Sequence, residues 1–440
     1  MSILIKDGTV ITENDTRDIT HGNILVEGNK IAYVGKEKPD HDEEINAKNR
    51  IIIPGFINTH THVGMSGFKG LLDDIVLSEF LDKTSKLDSQ RTEEGIYNSS
   101  LLGMNEMINS GTTSFVDLYY SEDVIEKAVE KTGMRGFLAW ATLDQEFTTQ
   151  KGDPVKNAEA FIRKEHPGTV IPMAGIQGIY VSSDENYYRV KELAEKYSVM
   201  VHTHLSETRK EVYDFVKTHN ERPVEHLGAI GFLSDKIIAA HCVWITLNEI
   251  KILSKYKTSV SWNAISNAKL SSGGIVPVPE LLSNNVNVSL GTDSSGSNNS
   301  LNMFEEMKYS AISINNDRWS ADTVKSQQIM DMATRNAGMA LKSPIGIIRE
   351  GYLADLVILD MNKYNTMPYN DSNIVNNIVF SANPENVESV MVNGKIIRSK
   401  NSNTTVRDHH GYYQQGCNEV REYICQKNTQ NIRLQFHGMQ

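Results

Sequence analysis

Polar and apolar positions alternate with a period of two near both ends of this chain, and a slower rhythm takes over between them. The segments "ILIKDGTVIT", "GNILVEGNKIAYVG" and "NRIIIPGF" carry the alternation, with Asp-Gly and Glu-Gly pairs at the turns. They predict short antiparallel strands over residues 1–54. The same style returns in "EGYLADLVILDMN" and "VESVMVNGKIIRS", so residues 345–402 are expected to complete one small β-sandwich built from both termini. From 55 to 344 the apolar runs "TSFVDLY", "RGFLAWATL", "VIPMAGI", "VMVHTHL", "IIAAHCV", "TSVSWN" and "VNVSLGTD" alternate with amphipathic stretches such as "VIEKAVEKTG" and "YYRVKELAEKYS". This βα alternation, with about eight strands, predicts an α/β fold in the form of a closed (β/α)8 TIM barrel. A doubly wound sheet is the alternative, but no GxGxxG follows the first strand. Residues 403–440 are polar and form a C-terminal appendage.

A length of 440 residues exceeds what one hydrophobic core usually supports, which suits a large barrel with a smaller companion. The balance of 44 basic against 55 acidic residues gives a net charge of −11, without a basic cluster, so nucleic acid and anionic membranes are poor partners. No apolar run approaches the roughly 18–20 residues of a membrane span, and "MSILIKDGTV" lacks the parts of a secretory signal. Cys242, Cys417 and Cys425 form no CxxC pair, so a reducing, cytoplasmic setting is expected.

The candidate chemistry sits at strand ends. In "NTHTH", His60 and His62 are two residues apart, so a strand would aim both into the mouth of the barrel. An HxH pair alone is more often accidental than metal-binding. Here it has company, because three further apolar runs end in such residues, one in His202 and His204, one in His241 and one in Asp293, where barrel active sites assemble. Imidazole with carboxylate suits Zn²⁺ or another first-row divalent ion. Strand spacing leaves His202 and His204 as rival ligands. Cys242 points to the opposite side from His241 and reads as core. His166, His219 and His226 fall in helical or loop sequence and His409-His410 in the tail, where solvated or capping roles are expected. Ser300 is placed to cap a helix starting near Leu301. The end of the fourth strand, "AGIQGIYV", has no lysine, which argues against a bridged two-metal centre.

Several ordered stretches, "PGFINTHTH", "HLSET", "AHCVWIT", "SLGTDSSGSNNSLNMFEEM" and "EGYLADLVILD", closely resemble the amidohydrolase superfamily. The likeness spans about residues 1–400 and is nearest to the mononuclear branch holding S-adenosylhomocysteine/5′-methylthioadenosine deaminases and triazine chlorohydrolases. It implies one divalent metal per chain on His60, His62, His204 and Asp293, with Zn²⁺ as first choice and Fe²⁺ or Mn²⁺ as alternatives. It implies that Glu207 moves protons and that His241 contacts metal-bound water. Such a metal lowers the pKa of its water towards about 7, and the hydroxide would displace ammonia from a ring. The resemblance favours His204 over His202, because the ligand precedes "LSET".

The specificity pattern departs from the family. Gln177 stands where a histidine is usual, Trp262 replaces another histidine, Ala264 replaces a proline, and Asp88 replaces the ribose-binding glutamate. Trp140 lies where an arginine for a carboxylate is expected. Asp88, Trp140, Gln177, Trp262 and Ser294 are therefore the expected substrate-binding residues, and Tyr119 and Tyr180 are further candidates for stacking on a flat ring. The expected substrate is an adenosine-type nucleoside; a guanine, pterin, pyrimidine or triazine deaminase, or a chlorohydrolase, keeps the same machinery. A silent ligand-binding barrel is the reading from another class. The resemblance also implies a homodimer or homotetramer.

Overall fold

The computed structural model describes residues 2–400 of the chain; the polar segment 403–440 lies outside the described residues. Strands β1 (Ser2–Ile11), β2 (Ile19–Glu27), β3 (Lys30–Gly35), β4 (Glu43–Asn46) and β5 (Ile51–Pro54) open the chain. They join β14 (Leu356–Leu359), β15 (Val387–Val392) and β16 (Lys395–Ser399) in one mixed eight-stranded sheet of order β16-β15-β14-β5-β1-β2-β3, with β4 against β1. Residues from both termini thus share one hydrogen-bonded sheet, because β5 is flanked by β1 on one side and β14 on the other. Its apolar face buries Ile5, Val10, Ile24, Ile52, Leu356 and Ile358 as a separate small core.

The second sheet is the barrel, consisting of β6 (Phe56–Thr61), β7 (Thr112–Tyr119), β8 (Arg135–Thr142), β9 (Val170–Ile176), β10 (Val201–Leu205), β11 (Ile237–His241), β12 (Ser259–Trp262) and β13 (Val288–Leu290). These eight strands pair in sequence order and every pair is parallel. Closure between β13 and β6 is carried by Thr59, whose hydroxyl contacts the Ser289 hydroxyl and donates to the Leu290 carbonyl, both at 2.9 Å. Just beyond, Asp293 N–H donates to the His60 carbonyl at 2.9 Å. Ile57, Val116, Leu118, Phe137, Ala139 and Met173 fill the barrel below the mouth, while a larger core lies between strands and outer helices. The barrel's own strands read as near-continuous apolar runs because both of their faces are covered. No helix among the described residues is long and apolar enough to cross a membrane.

Candidate active site

The strand ends leave regular β geometry where the polar side chains emerge. Ser206, His241, Cys242 and Asp293 all have positive φ, at 51°, 76°, 53° and 64°. For residues with a Cβ this costs on the order of 1–3 kcal/mol each, and it persists only where neighbouring contacts enforce it. The register between β6 and β7 also shifts between Asn58 and Thr61, at the point where His60 turns inward. Thr61 Oγ1 and Val63 N both donate to Asp117 Oδ1 at 2.6 Å, fixing the end of that strand. After β10, Thr208 caps the helix Arg209–His219 in a box with Glu211. The Glu211 carboxylate also accepts from Ser206 N at 2.9 Å and Glu207 N at 2.8 Å, so the capping device sets the turn that presents Glu207.

Four imidazoles and a carboxylate meet at the mouth. His62 Nδ1 lies 2.6 Å from the Leu118 carbonyl, and His204 Nδ1 lies 2.5 Å from the Gln177 carbonyl. A carbonyl only accepts, so each Nδ1 carries the proton and each Nε2 presents a lone pair. Those two Nε2 atoms face one another at 3.2 Å. Asp293 Oδ1 sits 3.4 Å from His62 Nε2 and 3.5 Å from His60 Nε2, and the latter is buried without a hydrogen bond. Acceptors converging on one point are an arrangement that a bound cation satisfies, and this donor set fits a divalent first-row ion. His60, His62 and Asp293 form one group with donor atoms within 4.8 Å of one another; His60, His204 and His241 form another.

Burial sets the protonation states. It lowers the His60 imidazole below the usual histidine range, despite Asp293 beside it, and pushes His204 well below that range. His241 falls to about 3, mainly by burial. Burial would raise Asp293, but contact with His60 and electrostatic coupling to the surrounding imidazoles hold it well below the carboxylate range. Glu207 goes the other way: burial first, then the charges of Asp293 and Glu211, raise it well above. The environment thus pushes two carboxyl groups of one mouth in opposite directions, Glu207 up and Asp293 down. His241 Nε2 lies 3.7 Å from Glu207 Oε2.

A cavity of ≈ 110 Å³ lies over these groups, walled by Asp88, Tyr119, Gln177, Tyr180, Phe80 and Leu118. Tyr119 donates to Asp88 Oδ1 at 2.6 Å, and burial raises that carboxyl to about 6. Gln177 Nε2 donates to the Tyr180 hydroxyl at 3.3 Å. An outer chamber of ≈ 820 Å³ adjoins it, sharing Leu77, Leu81, Tyr180 and Leu270 and opening onto Trp244 and Arg209.

Of the residues expected to bind substrate, Asp88 and Gln177 line the inner cavity, whereas Trp140, Trp262 and Ser294 do not. Phe137, Ala139 and Ala141 on β8 point into the barrel, so alternation sends Trp140 outward against Phe161, with its Nε1 on Gln150 at 3.0 Å. Ser261 on β12 faces inward to Thr59, so Trp262 faces the helices and is 1% exposed. Ser294 instead supports Asp293, donating its N–H to Oδ1 at 2.7 Å. Tyr119 and Tyr180, by contrast, do reach the cavity.

Three residues that sequence reasoning passed over complete the site. Asn263 and Asn267 place their amides 3.2 and 2.9 Å from His241 Nδ1, and Ser266 donates to Asp293 Oδ2 at 2.6 Å. They cap or lie on the helix Ala264–Lys269 at spacings of three and four, a one-face pattern visible in "WNAISN" itself.

The comparisons with known proteins agree with this geometry. Residues 51–397 match the amidohydrolase family. The 5′-deoxyadenosine deaminase of Methanocaldococcus jannaschii is 40% identical over 398 residues, covering 89% of this chain and 94% of that protein. The 5-methylthioadenosine/S-adenosylhomocysteine deaminase of Thermococcus sibiricus is 39% identical over 402 residues, covering 90% and 94%. Among solved structures, an adenosine deaminase from Xanthomonas campestris with bound zinc shares the fold at a TM-score of 0.89 and 24% identity, over 96% of this chain and 98% of that one. An atrazine chlorohydrolase from Arthrobacter aurescens complexed with zinc does so at 0.84 and 22%, over 93% and 100%. The family match takes in the barrel and the strands that return to the terminal sheet, and the relatives run through nine-tenths of the sequence, so this chain belongs to the amidohydrolase family.

Proposed function

We propose that the protein is a metal-dependent aminohydrolase that converts the exocyclic amino group of an adenosine-type nucleoside to a carbonyl and releases ammonia. The observation that carries this reading is the pair of Nε2 atoms of His62 and His204 facing each other at 3.2 Å beside Asp293, with the buried carboxyl of Glu207 in the same mouth. His60, His62, His204 and Asp293 hold the ion, with Zn²⁺ our assignment. When bound, that ion brings the pKa of water towards about 7 and so supplies the nucleophile.

The protein's own groups do the proton chemistry. Glu207, neutral in its buried setting, gives its proton to a ring nitrogen and makes the adjacent carbon electrophilic. Asp293 takes a proton from the attacking water at Oδ1 and returns it to the departing amine, and the remaining water proton goes back to Glu207 as the carbonyl forms. Its other oxygen is held by Ser266, so the carboxylate stays aimed. His241, with Nδ1 facing two amide donors, directs an Nε2–H towards the reacting oxygen. Asp88, braced by Tyr119, is the acceptor for ribose hydroxyls. The outer chamber receives whatever the nucleoside carries at its 5′ position, which is where the substrates named for the relatives differ.

Metal-replete protein should release ammonia from 5′-deoxyadenosine, 5′-methylthioadenosine, S-adenosylhomocysteine or adenosine. Absence of ammonia from all four would overturn the reading. Chloride release from a chlorinated triazine in its place would favour the chlorohydrolase alternative, which uses the same ligand set.

A further inference from the structure

The three histidines assigned to the metal are not oriented alike. His62 and His204 each anchor Nδ1 on a backbone carbonyl, which no substitution at the carbonyl's own residue removes. His60 instead anchors Nδ1 on a side chain, Nε2 of His202, at 2.7 Å. Both imidazoles are 0% exposed, their ring centroids are 4.9 Å apart, and the planes are tilted by 45°. For His60 to present a lone pair at Nε2 as the other two do, its proton must sit on Nδ1, and His202 Nε2 must accept it. His202 then carries its own proton on Nδ1, a buried atom without a side-chain or backbone hydrogen-bond partner among the described residues.

We infer that His202 is a positioning residue for the metal centre, an imidazole acceptor that fixes the tautomer and rotation of His60 where a carboxylate or carbonyl commonly does so. It touches neither substrate nor ion. The inference rests on the assignment of His60, His62, His204 and Asp293 as ligands, and extends it to a residue that strand spacing alone leaves as a rival ligand. The geometry separates the two roles: His202 Nε2 is turned to His60 Nδ1, while the nitrogens of His62 and His204 meet at the mouth. Outer partners of ligating histidines typically change metal affinity by about 10–100-fold when lost.

The test is zinc affinity of metal-free protein, measured by competition with a chromogenic chelator, together with the visible spectrum of the Co²⁺ form. His202→Leu removes the acceptor and should weaken zinc by about 10–100-fold. His202→Gln places an amide oxygen near the vacated Nε2 position and should recover most of that loss, with a wild-type Co²⁺ spectrum. Should the leucine variant fail to fold, His202→Asn, whose oxygen falls short of His60, takes its place. Wild-type affinity in His202→Leu or His202→Asn would overturn the inference, as would equal losses in folded Leu and Gln variants. A Co²⁺ spectrum showing one nitrogen fewer in His202→Gln would make His202 a ligand and also overturn it. Failure of the wild type to bind zinc at all would instead remove the ligand assignment beneath it.

Discussion

Replacing Glu207 by glutamine isolates one proton from everything else in the site. Glu207 is 3% exposed, and burial first, then the charges of Asp293 and Glu211, push its carboxyl well above the usual range, towards the neutral form. Glu207→Gln therefore swaps one neutral group for another of nearly the same shape, and no charge is added to or taken from the interior. The contact between Glu207 Oε2 and His241 Nε2, at 3.7 Å, lies outside the ligand set, so metal content should stay at one ion per chain. What disappears is the acid. A positioned general acid contributes about 10²–10⁴ in rate, or roughly 2.7–5.4 kcal/mol in the barrier. We expect kcat for ammonia release to fall by at least about 100-fold, with zinc measured by elemental analysis and thermal unfolding close to wild type. A kcat within about tenfold of wild type in zinc-loaded Glu207→Gln would refute the proton-donor role. Loss of zinc along with activity would show that the residue supports the ligand set instead.

The other predictions reach different parts of the molecule. His62→Ala should lose zinc before it loses fold, since its Nε2 faces both His204 and Asp293; full zinc occupancy would contradict the ligand assignment. Trp140→Phe should leave KM within about twofold, because that ring packs on Phe161 outside the cavity; a large rise in KM would return it to the substrate wall. Arg135→Met breaks the ion pair to Asp355, 2.7 Å long and 3% and 1% exposed, between the base of the barrel and the terminal sheet. It should cost about 3–5 kcal/mol in urea unfolding, and an unchanged midpoint would refute the pair's role. Burial raises Glu306 from 4.5 to about 8, so its proton is retained on folding. The stability this gives is complete below pH 4.5 and is lost as pH rises to about 8, with an upper bound of about 5 kcal/mol. Glu306→Gln should flatten that decline in urea midpoints measured across the range, and parallel curves for the two proteins would count against it.

The barrel, the terminal sheet and the gathering of histidines and Asp293 at the strand ends were legible because each rests on a pattern that repeats along the chain. Apolar runs of strand length recur, and polar residues follow them at the same end each time. The substrate wall was not legible in the same way. Trp140 and Trp262 attract notice as large aromatic residues, yet one step of alternation decides whether such a ring meets the ligand or the helices. Reading "RGFLAWATL" by parity would have found it, since Phe137, Ala139 and Ala141 form the inward set. Asn263, Ser266 and Asn267 were missed because the same motif was read for its departures at Trp262 and Ala264. Asp88 reaches the cavity from the last position of the helix Leu77–Asp88 and Gln177 from just past the end of β9, and only tertiary packing places these two element ends there.

The hydrogen bonds that close the mouth of the barrel are also the ones that hold its strained backbone. Asp293 has φ 64°, and its N–H bonds to His60 O at 2.9 Å, so the residue that supplies the carboxylate also ties the last strand to the first ligand. Cys242, at φ 53°, bonds to Leu205 O at 2.9 Å, and Trp244 N bonds to Ser206 O at 2.9 Å, extending the ladder between β10 and β11 past its regular end. Each of these contacts offsets a left-handed residue with a backbone bond that a straight strand would have made elsewhere. The backbone therefore holds the candidate ligands and Glu207 in place through barrel closure itself, so the fold enforces the geometry of the mouth. Asp88 and Gln177 hang on a helix end and a loop, whereas the candidate ligands hang on the closure of the sheet.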